Sequence, residues 1–186
     1  RTIEEQGKMT SELLQKIGEA GTMSEIEDIY LPFRPKRRTR ATIARERGLE
    51  PLATLIFEQT GENLHLKAEE FVSEQVPSIE DAVAGASDII AEWISEDEKA
   101  RKHMRQLYER EAVMISKVIK GKEAEGIKFS DYYEWSELLR KCPSHRLLAM
   151  RRGEEEGFLR LSVEPEEINA LDLLESIFIK SKNEYS

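Results

Sequence analysis

The chain has 186 residues, with 28 Lys and Arg against 37 Asp and Glu and a formal net charge of −9. A hydrophobic content of 39% is too high for a disordered chain, and 35% charged residues fits a soluble, charge-rich helical protein. The negative total excludes whole-surface attraction to a polyanion, and no apolar run approaches the roughly 20 residues of a membrane span. The single cysteine, Cys142, excludes an internal disulfide and points to a reducing compartment, hence the cytoplasm.

The opening residues, RTIEEQGKM, lack an initiator Met and the apolar core of a signal peptide, so the chain reads as an excerpt of a longer one. Met9, Leu13, Leu14 and Ile17 share one helix face, closed by Gly18 and Gly21. Ser24 with Glu27 three residues on has the spacing of a capping box for a short helix. Thr39 can cap a helix over RATIARER that ends at Gly48, and Pro51 suits the first turn of the next, PLATLIFEQ. A weaker helix, LKAEEFV, follows.

Ser78 with Asp81 opens a longer helix with Ile79, Ala82, Val83, Ala86, Ile90, Trp93 and Ile94 on its apolar face. Ser95 with Glu98 opens another, carrying Ala100, Met104, Leu107, Tyr108, Met114, Ile115 and Val118, to a stop near Gly121. With only Ser95 between them, the two should form a tight corner. After residue 143 the period changes. Residues 146–163 predict a small β-hairpin whose acidic turn runs from Gly153 to Gly157, with Leu159, Leu161 and Val163 alternating along the second arm. Pro165 opens a last helix with Leu171, Leu174, Ile177 and Phe178 inward. The fold class is therefore mainly α: a multi-helix scaffold over residues 1–143, with the hairpin and final helix of residues 144–186 packed on it.

One stretch departs from the acidic background. Arg34, Lys36, Arg37, Arg38, Arg40, Arg45 and Arg47 face a single acid, Glu46, a local balance of +6 that leaves −15 for the rest. Pro32 and Pro35 hold the lead-in extended. Extended arginines beside a helix start suit phosphate oxygens, because guanidinium forks bind them in pairs. The competing reading is an internal tie to the chain's own carboxylates. From residue types alone both stand.

Phe129, Tyr132, Tyr133 and Trp135 fall within seven residues. They fit a hydrophobic plug better than a base-stacking platform, because Asp131, Glu134 and Glu137 would repel phosphate. Cys142 and His145 form a lone C-x-x-H, short of the four ligands of a structural zinc. Ser144 beside His145 reads as a local turn residue rather than a nucleophile. Phosphate-loop, dinucleotide and nucleophile-elbow motifs are all missing from the sequence. No enzyme, catalytic residue, metal site or cofactor is expected.

Two stretches are more particular. EIEDIYLPFRPKRRTRATIARERGLEPLA, residues 25–53, and FSDYYEWSELLRKCPSHRLLAMRRGEEEGFL, residues 129–159, resemble the bacterial transcription accessory protein Tex family in composition, order and spacing. The resemblance implies a segment of the N-terminal and central helical region, without the RNase H-like, helix-hairpin-helix and S1 domains that such proteins carry. It implies a non-enzymatic part of a nucleic-acid-binding transcription factor, with RNA placed before DNA. RNA polymerase and the absent domains of the longer chain are the expected protein partners. The alternative is an interaction scaffold whose acidic helices dock such a partner.

Overall fold

The computed structural model describes residues 2–34, 38–59 and 63–180. It divides into two compact units, one of Arg1–Lys102 with Ile177–Ser186 and one of His103–Ser176.

The first unit opens with three short helices, α1 (Thr2–Glu5), α2 (Ser11–Glu19) and α3 (Met23–Tyr30). The cap of α3 lies two residues before the expected one. Thr22 accepts from the Glu25 N–H, and Glu25 returns a carboxylate to the Thr22 and Gly21 N–H groups. Ser24 and Glu27 have the same spacing, but the helix already begins at Met23, which makes Thr22 the capping residue.

The core of this unit lies among α4 (Arg40–Glu46), α5 (Glu50–Glu58), α6 (Leu64–Glu69) and α7 (Ile79–Glu96). Thr39, Asn63 and Ser78 cap α4, α6 and α7 with side-chain oxygens, and Pro51 sits in the first turn of α5, where its missing N–H costs nothing. Leu49, Leu52, Val76 and Ile89 are fully enclosed. Small residues let α4 and α7 approach closely: Ala41, Ala44, Ala82 and Ala86 are buried between them, and a Cβ on Gly85 would come within 2.4 Å of Leu49 Cδ1. Phe57 meets Trp93 edge-on and also touches Phe178.

Asp97, not Ser95, separates α7 from α8 (Glu98–Glu111), and its carboxylate accepts from the Ala100 N–H at 2.8 Å. Helix α8 carries the chain into the second unit. There it stops earlier than its apolar stripe suggests, because Val113–Val118 is strand β1. β1 is the centre of a three-stranded antiparallel sheet, between β2 (Glu134–Leu138) and β3 (Leu159–Glu164). Ser116 faces Trp135 on one side and Leu161 on the other. Met114 and Ser116 point inward with the half-buried Val118. A buried serine in the middle of the inward row masks the strand's alternation and leaves Met114, Ile115 and Val118 mimicking a helix stripe. Ser116 is satisfied by donating to the Tyr132 carbonyl at 2.7 Å.

The mainly helical class with a small antiparallel β element stands, but the hairpin expected at residues 146–163 does not form. Its second arm is β3. Its first arm is helix α9 (Ser144–Glu155), which packs against β3. Gly153 lies inside α9, where a Cβ would sit 2.6 Å from Leu159 Cδ1, so this glycine serves close packing and not a turn. The turn is made by Gly157 alone, at φ +77°. Helix α10 (Glu167–Phe178) buries none of its residues fully, and Leu171 is 48% exposed, so the expected inward set is only partly enclosed.

Candidate nucleic-acid interface

The basic stretch begins where α3 ends. Pro32 sits in a 3₁₀ turn over Leu31–Phe33, and Arg34 leaves it in extended backbone. Lys36 and Arg37, with Pro35, lie outside the described residues. The chain is described again from Arg38 and enters α4 at Arg40, with Thr39 Oγ1 accepting the Thr42 N–H at 3.1 Å.

The island then splits into an anchored and an outward part. Arg45 is the anchor: its guanidinium lies 2.6 Å from Glu92 Oε1 and 3.5 Å from Glu50, and Glu92 is only 10% exposed. The Thr39 hydroxyl donates to the other Glu92 oxygen at 3.2 Å, so both start and end of α4 are tied to one carboxylate of α7. Arg40 contacts Asp88 at 3.4 Å, one turn earlier on α7, but its side chain is 86% exposed. Arg38 pairs with Glu46 at 2.7 Å and is 69% exposed. Arg47 is exposed and, with Arg38, lines a shallow cleft whose other wall includes Glu74 and Asp81. Arg34 is exposed as well.

These contacts differ in energy. Surface pairs such as Arg38–Glu46 and Arg40–Asp88 are worth about 0–1 kcal/mol, so a phosphate can displace them cheaply. Arg45 faces a nearly buried acid and is not free to leave it. Asp88 and Glu92, absent from the sequence reading, are the partners that matter. Their i, i+4 spacing on the α7 face that meets α4 is the signal that could have revealed them.

The other candidates resolve as packing. Phe129 is buried against Phe158, Tyr132 meets Trp135 edge-on, and Arg146 lies 4.6 Å above the Trp135 ring while its guanidinium holds Glu137 at 2.6 Å. The Tyr133 hydroxyl donates to the Glu123 carbonyl. One Trp135 face is thus occupied by its own chain. Ser144 opens α9, and Cys142 is half-buried, with burial and the Glu137 carboxylate raising its thiol pKa above the ordinary value. Among the described residues no three His, Cys, Asp or Glu side chains gather as a metal would require. No helix among them is long and apolar enough to cross a membrane.

The elements define a mainly helical protein with a small antiparallel sheet, and residues 34–47 add exposed cations to an otherwise acidic sequence. Residues 61–183 match the Tex central region-like family, and the chain belongs to that family. It is 40% identical over 163 residues to the Transcriptional accessory protein Tex of Neisseria gonorrhoeae, covering 88% of this chain and 22% of that protein. It is 42% identical over 165 residues to Protein tex of Bordetella pertussis, covering 87% and 21%. A human relative, S1 RNA-binding domain-containing protein 1, is 28% identical over 170 residues, covering 87% of this chain and 17% of its own. The chain thus spans about a fifth of the length of these relatives.

Proposed function

We propose that this chain is a non-catalytic helical portion of a cytoplasmic transcription accessory protein, and that the outward part of its basic segment contacts single-stranded RNA through phosphates. The observation that carries the reading is the division of the island: Arg45 is anchored on Glu92, whereas Arg38 and Arg40 stay 69% and 86% exposed. Four described cations, Arg34, Arg38, Arg40 and Arg47, are exposed along 14 consecutive positions, and Lys36 and Arg37 belong to the same stretch. Phosphate contacts of this kind supply sequence-independent affinity. The relatives' names, transcriptional accessory protein and S1 RNA-binding domain-containing protein, support the same direction.

The test separates the two parts. Arg38→Glu with Arg40→Glu abolishes the anisotropy change of a fluorescein-labelled RNA strand and lowers the melting temperature by no more than a few degrees, since the pairs it turns into like-charge contacts, with Glu46 and Asp88, lie at the surface and are worth about 0–1 kcal/mol each. Arg45→Glu sets a second carboxylate against Glu92 and lowers the melting temperature instead. Unaltered RNA binding in the double variant, with a large drop in melting temperature, would make the whole island an internal tie. A second reading, a scaffold for RNA polymerase or for other domains of a longer chain, is favoured by apolar side chains left exposed on α2, α3 and α10.

A further inference from the structure

Helix α10 turns one side to α8 and leaves an apolar pair on the other. The inner side is held by specific contacts. The Asn169 amide donates to Glu111 Oε2 at 3.0 Å, and Asn169 and Leu173 line one cleft with Leu107 and Arg110 of α8. The start is held as well: Pro165 is buried, and the Asn169 and Ala170 N–H groups donate to the Glu166 carbonyl at 3.1 and 3.2 Å. With the rotation of α10 set by Asn169, the helical repeat turns Ile168 and Leu171 away from α8. Ile168 is 59% and Leu171 48% exposed. Three positions apart, they are neighbours on the helix surface.

The charges beside this pair on α10 have one sign, and the same repeat places them next to it. Leu171 has Glu167 four positions before it and Glu175 four after, and Ile168 has Asp172 four after; all three acids are exposed. Residues 161–179 hold five acids and no Lys, Arg or His. On the Asp172 border, His103 and Arg110 of α8 line the cleft, and Arg110 is held by Glu111 at 2.9 Å. Carboxylates repel phosphate, so this side does not suit RNA. An apolar pair flanked by acids complements a helix whose apolar stripe is flanked by lysines. We propose that the outward side of α10, centred on Ile168 and Leu171, docks a basic amphipathic helix of a protein partner. This gives the scaffold reading a surface and does not depend on the RNA contact.

The probe is a labelled amphipathic peptide of leucines and lysines, with a leucine–glutamate peptide of the same pattern as control, each titrated at roughly 150 mM salt. The lysine peptide binds, and the glutamate peptide binds at least about tenfold more weakly. Ile168→Ala with Leu171→Ala weakens the lysine peptide by about tenfold. Alanine keeps the helix propensity at two exposed positions, so the circular dichroism spectrum is unchanged. A second variant, Glu167→Gln with Glu175→Gln, leaves the apolar pair intact and weakens the lysine peptide as well. The same loss of charge at Glu69 and Glu74, exposed acids of the first unit, leaves binding as in the parent. The proposal is overturned if the lysine peptide does not bind, if both peptides bind alike, or if the alanine variant binds as the parent does. It is overturned equally if the Glu69 and Glu74 variant loses as much as the Glu167 and Glu175 variant, or if sedimentation shows a dimer of this chain that the alanine variant loses.

Discussion

Gly153→Ala and Gly18→Ala are the same substitution in two helices, and the structure gives them opposite signs. Replacing a helical glycine by alanine gains about 0.5–1 kcal/mol, because less backbone entropy is lost on folding. At Gly18 in α2 the added methyl meets nothing within 4 Å, so that gain is kept. At Gly153 in α9 it would sit 2.6 Å from Leu159 Cδ1, 2.9 Å from Leu159 Cγ and 3.2 Å from Phe129 Cδ1. Those neighbours have nowhere to move: Leu159 is 1% exposed, Phe129 6% and the adjacent Met150 0%. Overpacking of this kind costs about 1–3 kcal/mol, which outweighs the propensity gain and leaves Gly153→Ala less stable by about 1 kcal/mol. Urea unfolding followed by circular dichroism reads the difference, since about 1 kcal/mol moves a midpoint by roughly 0.3–1 M. Stabilisation by Gly153→Ala equal to that by Gly18→Ala would refute the packing of α9 on Leu159.

Arg101→Leu leaves the Asp28 carboxylate buried without the guanidinium at 2.6 Å. Because Arg101 is itself 38% exposed, the loss is about 1–3 kcal/mol rather than that of a fully buried pair. A midpoint in urea equal to the parent's would contradict it. Glu25 has a carboxyl pKa held below its ordinary value, chiefly by the Gly21 N–H it accepts and then by that of Thr22. Its contribution is present at neutral pH and disappears as pH falls through the lowered value. Glu25→Gln therefore flattens the acid limb of stability against pH, and an unchanged limb would exclude that role. Cys142, pushed upward by burial and then by Glu137, stays a thiol at pH 8 and reacts with iodoacetamide more slowly than glutathione does. A faster reaction would mean that the thiol is open to solvent.

Most helix starts were legible in the sequence because caps are local chemistry: Thr39, Ser78 and Pro51 act where their residue types place them. The strand at Val113–Val118 was hidden because its inward row contains Ser116, whose burial depends on a carbonyl supplied sixteen residues later. Gly153 misled for a related reason. A glycine that opens a turn and a glycine that admits a neighbour look alike in sequence, and only the leucine of β3 tells them apart. The seven basic residues were visible at once, but their division was not, since it rests on Asp88 and Glu92 some fifty positions away.

The central claim, that the outward cations of residues 34–47 bind RNA as a phosphate contact, is tested most directly by titrating one labelled single strand across a range of salt. If about three phosphates are neutralised, log affinity falls against log salt with a slope of about −2, and Arg40→Gln reduces that slope by about 0.7. Affinity independent of salt, or a slope that Arg40→Gln leaves unchanged, would contradict the account.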